Sequence, residues 1–163
     1  MDEIKKAISK LKNGNIAGLD NVTNEYIKGS ICSELLPLYH MLFSTVLDSG
    51  VLPTSWLIGY IIPLYKNKGD TANPENYRPI TILSCLGKAF TAILNERLTS
   101  YLETNNLLNI NQAGFRKKHS TSDGIFLLHT LAEMYKRKNM KLVCCFIDFQ
   151  KVFDSVMGKT VEL

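Results

Sequence analysis

Two acidic residues, Asp148 and Asp154, stand six apart in the segment Cys144-Cys-Phe-Ile-Asp-Phe-Gln-Lys-Val-Phe-Asp-Ser-Val156, just after the apolar run Lys141–Ile147. An apolar strand that ends in a carboxylate holds it at the lip of a cleft while the core fixes its backbone, as a hard cation such as Mg2+ requires. A solvated acid at a strand end is the plainer reading of the same residues. Two groups of cations suggest chemistry of the opposite sign. Lys66 and Lys68 lie in the polar tip Lys66-Asn-Lys-Gly-Asp70 between two β-prone runs, and Arg78 precedes Pro79, which disfavours a helix there. Ammonium groups on such a tip are solvated, yet able to close over a triphosphate. Gly114-Phe-Arg-Lys-Lys-His119 is a basic run opened by glycine, where backbone can approach a ligand closely. Arg116, Lys117 and Lys118 there would attract phosphate, more weakly as salt rises. Phe115 either stacks on a base or fills the core, and the core is the expectation.

Other chemistries fail on spacing. Cys32, Cys85, Cys144 and Cys145 contain no C-x-x-C pair, and neighbours on a strand point to opposite faces, so Cys144 and Cys145 cannot share a metal. His40, His119 and His129 have no zinc spacing with them. Gly158-Lys-Thr160 ends like a phosphate-binding loop, but Phe153 occupies the position of its first glycine. Free thiols suit a reducing compartment. The start, Met1-Asp-Glu-Ile-Lys-Lys, lacks the apolar run of a signal peptide, and the apolar stretches are too short to span a bilayer. The expectation is an intracellular protein of nucleus or cytoplasm, not secreted and without a membrane partner.

The elements that must position these groups follow from periodicity. With 163 residues and 45% apolar content the chain can bury a core, and 19 basic against 15 acidic residues leave a net charge of +4, compatible with a polyanion. Residues 2–12 read as a short helix ended by Asn13-Gly14, and residues 13–24 as an ordered loop. Leu35, Leu38, Tyr39, Leu42, Val46 and Leu47 fall at helical spacing, with Ser33 as N-cap and Gly50 past the end. Trp56–Tyr65 and Arg78–Leu83 read as strands. A helix follows through Leu86, Phe90, Ile93, Leu94, Leu98 and Leu102. Another begins after Ser122 or Asp123, carries Ile125, Leu128, Leu131, Ala132 and Tyr135, and ends in the solvated basic turn 136–138. Lys141–Ile147 reads as a strand buried on both faces. Without regular βαβ alternation, the fold class is α+β.

Four segments, in order, carry a family resemblance. Leu11-Lys-Asn-Gly-Asn-Ile-Ala-Gly-Leu-Asp-Asn-Val-Thr-Asn-Glu-Tyr-Ile-Lys28 resembles the N-terminal extension motif of reverse transcriptases from non-LTR retrotransposons. Ile61–Asp70 with Asn76-Tyr-Arg-Pro-Ile-Thr-Ile-Leu-Ser84 resembles their first fingers motif, Asn111–Asp123 their Q-x-G-F-R motif, and Phe146–Asp154 their D-x-x-K-A-F-D motif. Asn15 stands where a Lys is usual and Val152 where a small Ala is usual. The resemblance covers residues 11–156. It implies a right-hand polymerase fold, incomplete, with fingers over about 11–139, the first palm strand and motif over 140–156, and a divergent tail over 157–163.

It further implies that Asp148 is catalytic and binds Mg2+, with the Phe149 carbonyl as a second ligand. Phe153 would be the gate against a 2′-hydroxyl. Lys66, Lys68, Arg78 and Arg116 would bind the nucleotide, and Lys12, Lys117 and Lys118 the nucleic acid. RNA template, DNA primer and dNTP would be the partners. In the family a later Asp-Asp motif completes the two-metal site, and this sequence has no adjacent aspartates. The expectation is therefore a fragment of an RNA-directed DNA polymerase, inactive as it stands. The alternative is a non-catalytic nucleic-acid-binding remnant or domesticated module.

Overall fold

The computed structural model describes residues 1–32 and 35–149. The chain divides into two compact units, Met1–Leu108 and Asn109–Leu163. The first is built from α1 (Asp2–Ser9), α2 (Asn24–Gly29), a 3-10 turn (Ser30–Cys32), α3 (Leu35–Ser49), α4 (Thr54–Leu57), strands β1 (Tyr60–Tyr65) and β2 (Tyr77–Ile82), and α5 (Cys85–Thr104). The second contains α6 (Thr121–Arg137). The fold class is α+β, with one two-stranded sheet among the described residues. No helix among them is long and apolar enough to cross a membrane.

The apolar spacing of the first unit becomes its core. Ile4, Ala7 and Ile8 of α1, Ile27 of α2, Leu36, Phe43 and Val46 of α3, and Cys85, Ala89, Phe90 and Ile93 of α5 form one buried cluster. Phe43, Trp56 and Phe90 meet there with ring centroids 5.5–6.0 Å apart, within the range where aromatic pairs attract beyond simple area burial. The short helix α4, whose last two residues belong to the strand expected over Trp56–Tyr65, delivers Trp56 to this trio. Burial pushes the Cys85 thiol up, which leaves it a protonated core residue. Helix α3 starts at Leu35, so the expected N-cap Ser33 lies outside the described residues.

β1 and β2 pair antiparallel, with Tyr60 opposite Ile82 and Tyr65 opposite Tyr77. Lys66 N–H donates to the Asn76 carbonyl at 2.8 Å, which extends the ladder by one bond. Counting back from that hydrogen-bonded pair, Pro63 and Pro79, which face each other, fall in a non-hydrogen-bonded position. Their missing N–H groups therefore face outward, one on each edge of the hairpin. Neither edge offers an unbroken row of donors to a third strand.

In the second unit α6 opens with the Asp123 carboxylate accepting the Ser120 N–H at 2.8 Å, a side-chain cap that places the start slightly earlier than expected. The expected strand at 141–147 is not formed. Those residues have no regular secondary structure, and Val143 is 90% exposed. A strand buried on both faces needs partners along its edges and layers above and below it. Among the described residues no strand pairs with it, and the single hairpin is closed by its prolines.

Candidate nucleotide and nucleic-acid interface

The hairpin tip, residues 66–76, is held by its own side chains. The Tyr65 hydroxyl donates to the Gly69 carbonyl and the Tyr77 hydroxyl to the Thr71 carbonyl at 2.9 Å, while the two rings pack 5.3 Å apart. Asp70 accepts the Ala72 N–H, Asn73 accepts the Glu75 N–H, and the Asn76 amide donates to the Asp70 carbonyl at 2.7 Å. Gly69 has φ +86° and lies so close to Asn76 that a Cβ would fall 2.5 Å from its amide nitrogen. Both facts restrict that position to glycine. The tip is therefore preorganised.

Its cations divide into two roles. The Lys66 ammonium donates to the Glu75 carbonyl at 2.7 Å and braces the turn. The Lys68 side chain, exposed at the apex, makes no hydrogen bond or ion pair among the described residues, and neither does the side chain of Arg78 on β2. The sequence alone had left Lys66 and Lys68 equivalent. Arg78 stands across from Leu64, and strand alternation places it on the same face as Ile62 and Ile80.

The loop before α2 carries Lys12, which is exposed. Its neighbours are tied down: the Gly14 N–H donates to Glu25 at 2.5 Å, Lys28 to the Asn13 side chain at 2.8 Å, and the buried Asn24 amide to the Lys12 carbonyl at 2.7 Å. The Gly14 hydrogen bond holds the Glu25 carboxyl below its usual range. The resemblance assigns Lys12 of this motif to nucleic-acid contact. Sequence reasoning missed that Asn24, Glu25 and Lys28 build the loop itself, because none of these contacts has a local sequence signature.

In the second unit Arg116 is half-buried, and its guanidinium donates to the Asn109 carbonyl at 3.1 Å. Lys117 and Lys118 are exposed. Phe115, expected in the core, is 94% exposed with φ +61°. A bulky residue with positive φ is costly, and such strain concentrates at functional sites. Here the backbone turns the ring outward. Asp148 and Phe149 are exposed on the irregular segment after Met140. Phe153 and Asp154 lie outside the described residues.

Among the described residues no three His, Cys, Asp or Glu side chains gather where they could hold a metal. A two-metal site needs carboxylates on both sides of the ions, and no such cluster forms around Asp148 among the described residues. The residues described here do not by themselves fit a catalytic Mg2+ pair. A cleft of about 720 Å3 lies between α1 and α5, rimmed by the exposed ion pairs Lys6–Glu96, Lys10–Glu96 and Glu3–Arg97, and it contains none of the candidate site residues.

Comparison with known proteins places these segments in a family. Residues 65–160 match the family described as reverse transcriptase (RNA-dependent DNA polymerase). The chain is 31% identical over 158 residues to the probable RNA-directed DNA polymerase from transposon BS of Drosophila melanogaster, covering 96% of this chain and 17% of that protein. It is 28% identical over 156 residues to the RNA-directed DNA polymerase from mobile element jockey of the same species, with the same coverage. It is also 26% identical over 156 residues to the transposon TX1 uncharacterized 149 kDa protein of Xenopus laevis, covering 96% of this chain and 12% of that one. The chain spans less than a fifth of the length of these curated relatives. On these matches, the chain belongs to the reverse transcriptase (RNA-dependent DNA polymerase) family, of the non-LTR retrotransposon kind.

Proposed function

We propose that this chain is the nucleotide- and template-gripping front of a mobile-element reverse transcriptase: fingers over about 11–139, the first palm motif over 140–156, and a divergent tail. The single observation that supports it best is the hairpin tip. A preorganised turn offering Lys68 and Arg78, with Lys66 as its brace, suits the triphosphate of a dNTP. Arg116 contacts nucleotide or template, and Lys12, Lys117 and Lys118 supply the contacts to RNA template and DNA primer. Phe153 gates the sugar. Magnesium serves the family, and Asp148 with the Phe149 carbonyl is this chain's contribution to its site. Completing that site takes further carboxylates, so we assign the chain binding without catalysis when it acts alone.

Two measurements test this. The chain should not extend a primer on an RNA template with dNTPs and Mg2+. Extension that vanishes on Asp148→Ala would refute the assignment. RNA binding should be tolerant of sequence and fall steeply between low and physiological salt. Unchanged affinity in filter binding after both Arg116→Ala and Lys117→Ala would remove those residues from the interface.

A further inference from the structure

Gly18 and Asp20 belong to the N-terminal loop motif, yet they lie against the junction where β2 turns into α5, 64 residues away from Asp20 in sequence. The Ser84 hydroxyl donates to one Asp20 carboxylate oxygen at 2.5 Å, and the other oxygen accepts the Val22 N–H at 3.2 Å. The same Ser84 oxygen accepts the Gly87 N–H at 3.3 Å as N-cap of α5. Its one hydrogen and one of its two lone pairs are thus committed, and a carboxylate sits beside the first turn of a helix, where the dipole favours it. Ser84 is fully buried. Gly18 is buried against the same backbone: a Cβ there would lie 2.7 Å from the Ser84 nitrogen and 2.8 Å from its Cα. No side chain fits, so the loop can seat only with glycine at that position.

The hairpin has little else to hold it. From Tyr60 to Leu64 and from Arg78 to Thr81 every residue is exposed, and burial begins only at Ile82. We infer that Gly18, Asp20 and Ser84 are a clamp fixing the carriage of the β1–β2 arm on the helical core, and that Asp20 is thereby a positioning residue for Lys68 and Arg78, although it touches no phosphate. The second half rests on the triphosphate reading above. The first half stands without it.

The test uses the full chain, 15N-labelled, with residual dipolar couplings on hairpin and helix amides and with dTTP titrations. In the parent, the hairpin and α1, α3 and α5 should share one alignment. In Asp20→Ala the hairpin couplings should shrink roughly twofold relative to the helices as the arm gains motion. Asp20→Asn, which keeps an acceptor for Ser84, should restore them. Affinity for dTTP should fall about tenfold in Asp20→Ala, as the binding groups lose the preorganisation that the clamp gives them. Asp20→Ala added to Ser84→Ala should loosen the hairpin no further than Ser84→Ala alone, because Ser84→Ala already cuts the link to Asp20 along with the cap of α5. Hairpin couplings that track the helices in every variant overturn the clamp, as does a loss shared equally by hairpin and helices. A parent that ignores dTTP overturns the triphosphate reading, while the couplings still decide the clamp.

Discussion

Residues 1–108 and residues 109–149 both carry family motifs, but they house them differently. In the first stretch α1, α2, α3 and α5 all contribute to one buried cluster, and the motif side chains of Asp20, Asn24 and Lys66 find partners inside the unit. In the second stretch no described residue is buried. Helix α6 presents Ile125, Phe126, Leu127 and Met134 as exposed side chains, and Asp148 rides on an exposed apolar segment. A helix in a protein owes most of its stability to the packing of its apolar face. Motifs of one family can thus sit on a self-supporting scaffold or on one whose apolar surface still calls for cover.

The largest effect should come from cutting between the two. A chain ended after Leu108 retains every buried residue among those described, so it should unfold cooperatively with a transition like that of the full chain. A chain ended near Lys138 sheds Leu142–Ile147, a β-prone, uncharged run that invites aggregation when exposed. Both should give more soluble protein than the full length. A full-length chain that is monomeric, cooperative and more stable than either would erase the contrast.

Single substitutions sharpen it. Phe90→Ala removes a buried ring that packs on Phe43 and Trp56, and should cost about 3–5 kcal/mol in denaturant unfolding. Phe126→Ala, at a ring 73% exposed, should change stability by no more than about 0.5 kcal/mol. Equal costs would mean that α6 is packed as tightly as α5.

The smallest effect concerns pH. The hydrogen bond from Arg97 lowers the Glu3 carboxyl, and the Gly14 N–H lowers that of Glu25. Folded values below the unfolded one mean that their stabilisation is complete above the unfolded carboxylate value of about 4.3 and is lost as pH falls through the folded values. Both groups are exposed, so the thermal midpoint should slope only gently on the acid side. Glu25→Gln should flatten that slope. A slope unchanged in both Glu25→Gln and Glu3→Gln would assign it to other carboxylates.

What the sequence disclosed and what it hid follow one physical line. Helices α1, α3, α5 and α6 and both strands were legible because their apolar period is local. The four-residue α4 was not, since its β-prone residues resemble the strand that follows and only the pocket between Phe43 and Phe90 gives Trp56 its place. Lys141–Ile147 was misread because its pattern reports what the segment would bury, and burial needs partners that a local pattern does not contain. The candidate residues were legible through motif spacing, whereas the brace role of Lys66 and the Asp20–Ser84 link are contacts between distant positions.

The aromatic trio has an optical consequence. Trp56 is the chain's single tryptophan, against seven tyrosines, and it is half-buried between Phe43 and Phe90 with Gly87 beneath its ring. Excited selectively at the red edge of protein absorption, the chain emits from one indole inside the first unit. Its colour and polarisation therefore report whether α3, α4 and α5 are assembled. A denaturation curve followed by that emission reports the packing around Trp56 in the first unit, whereas a second observable, such as helical dichroism, samples every helix, α6 included.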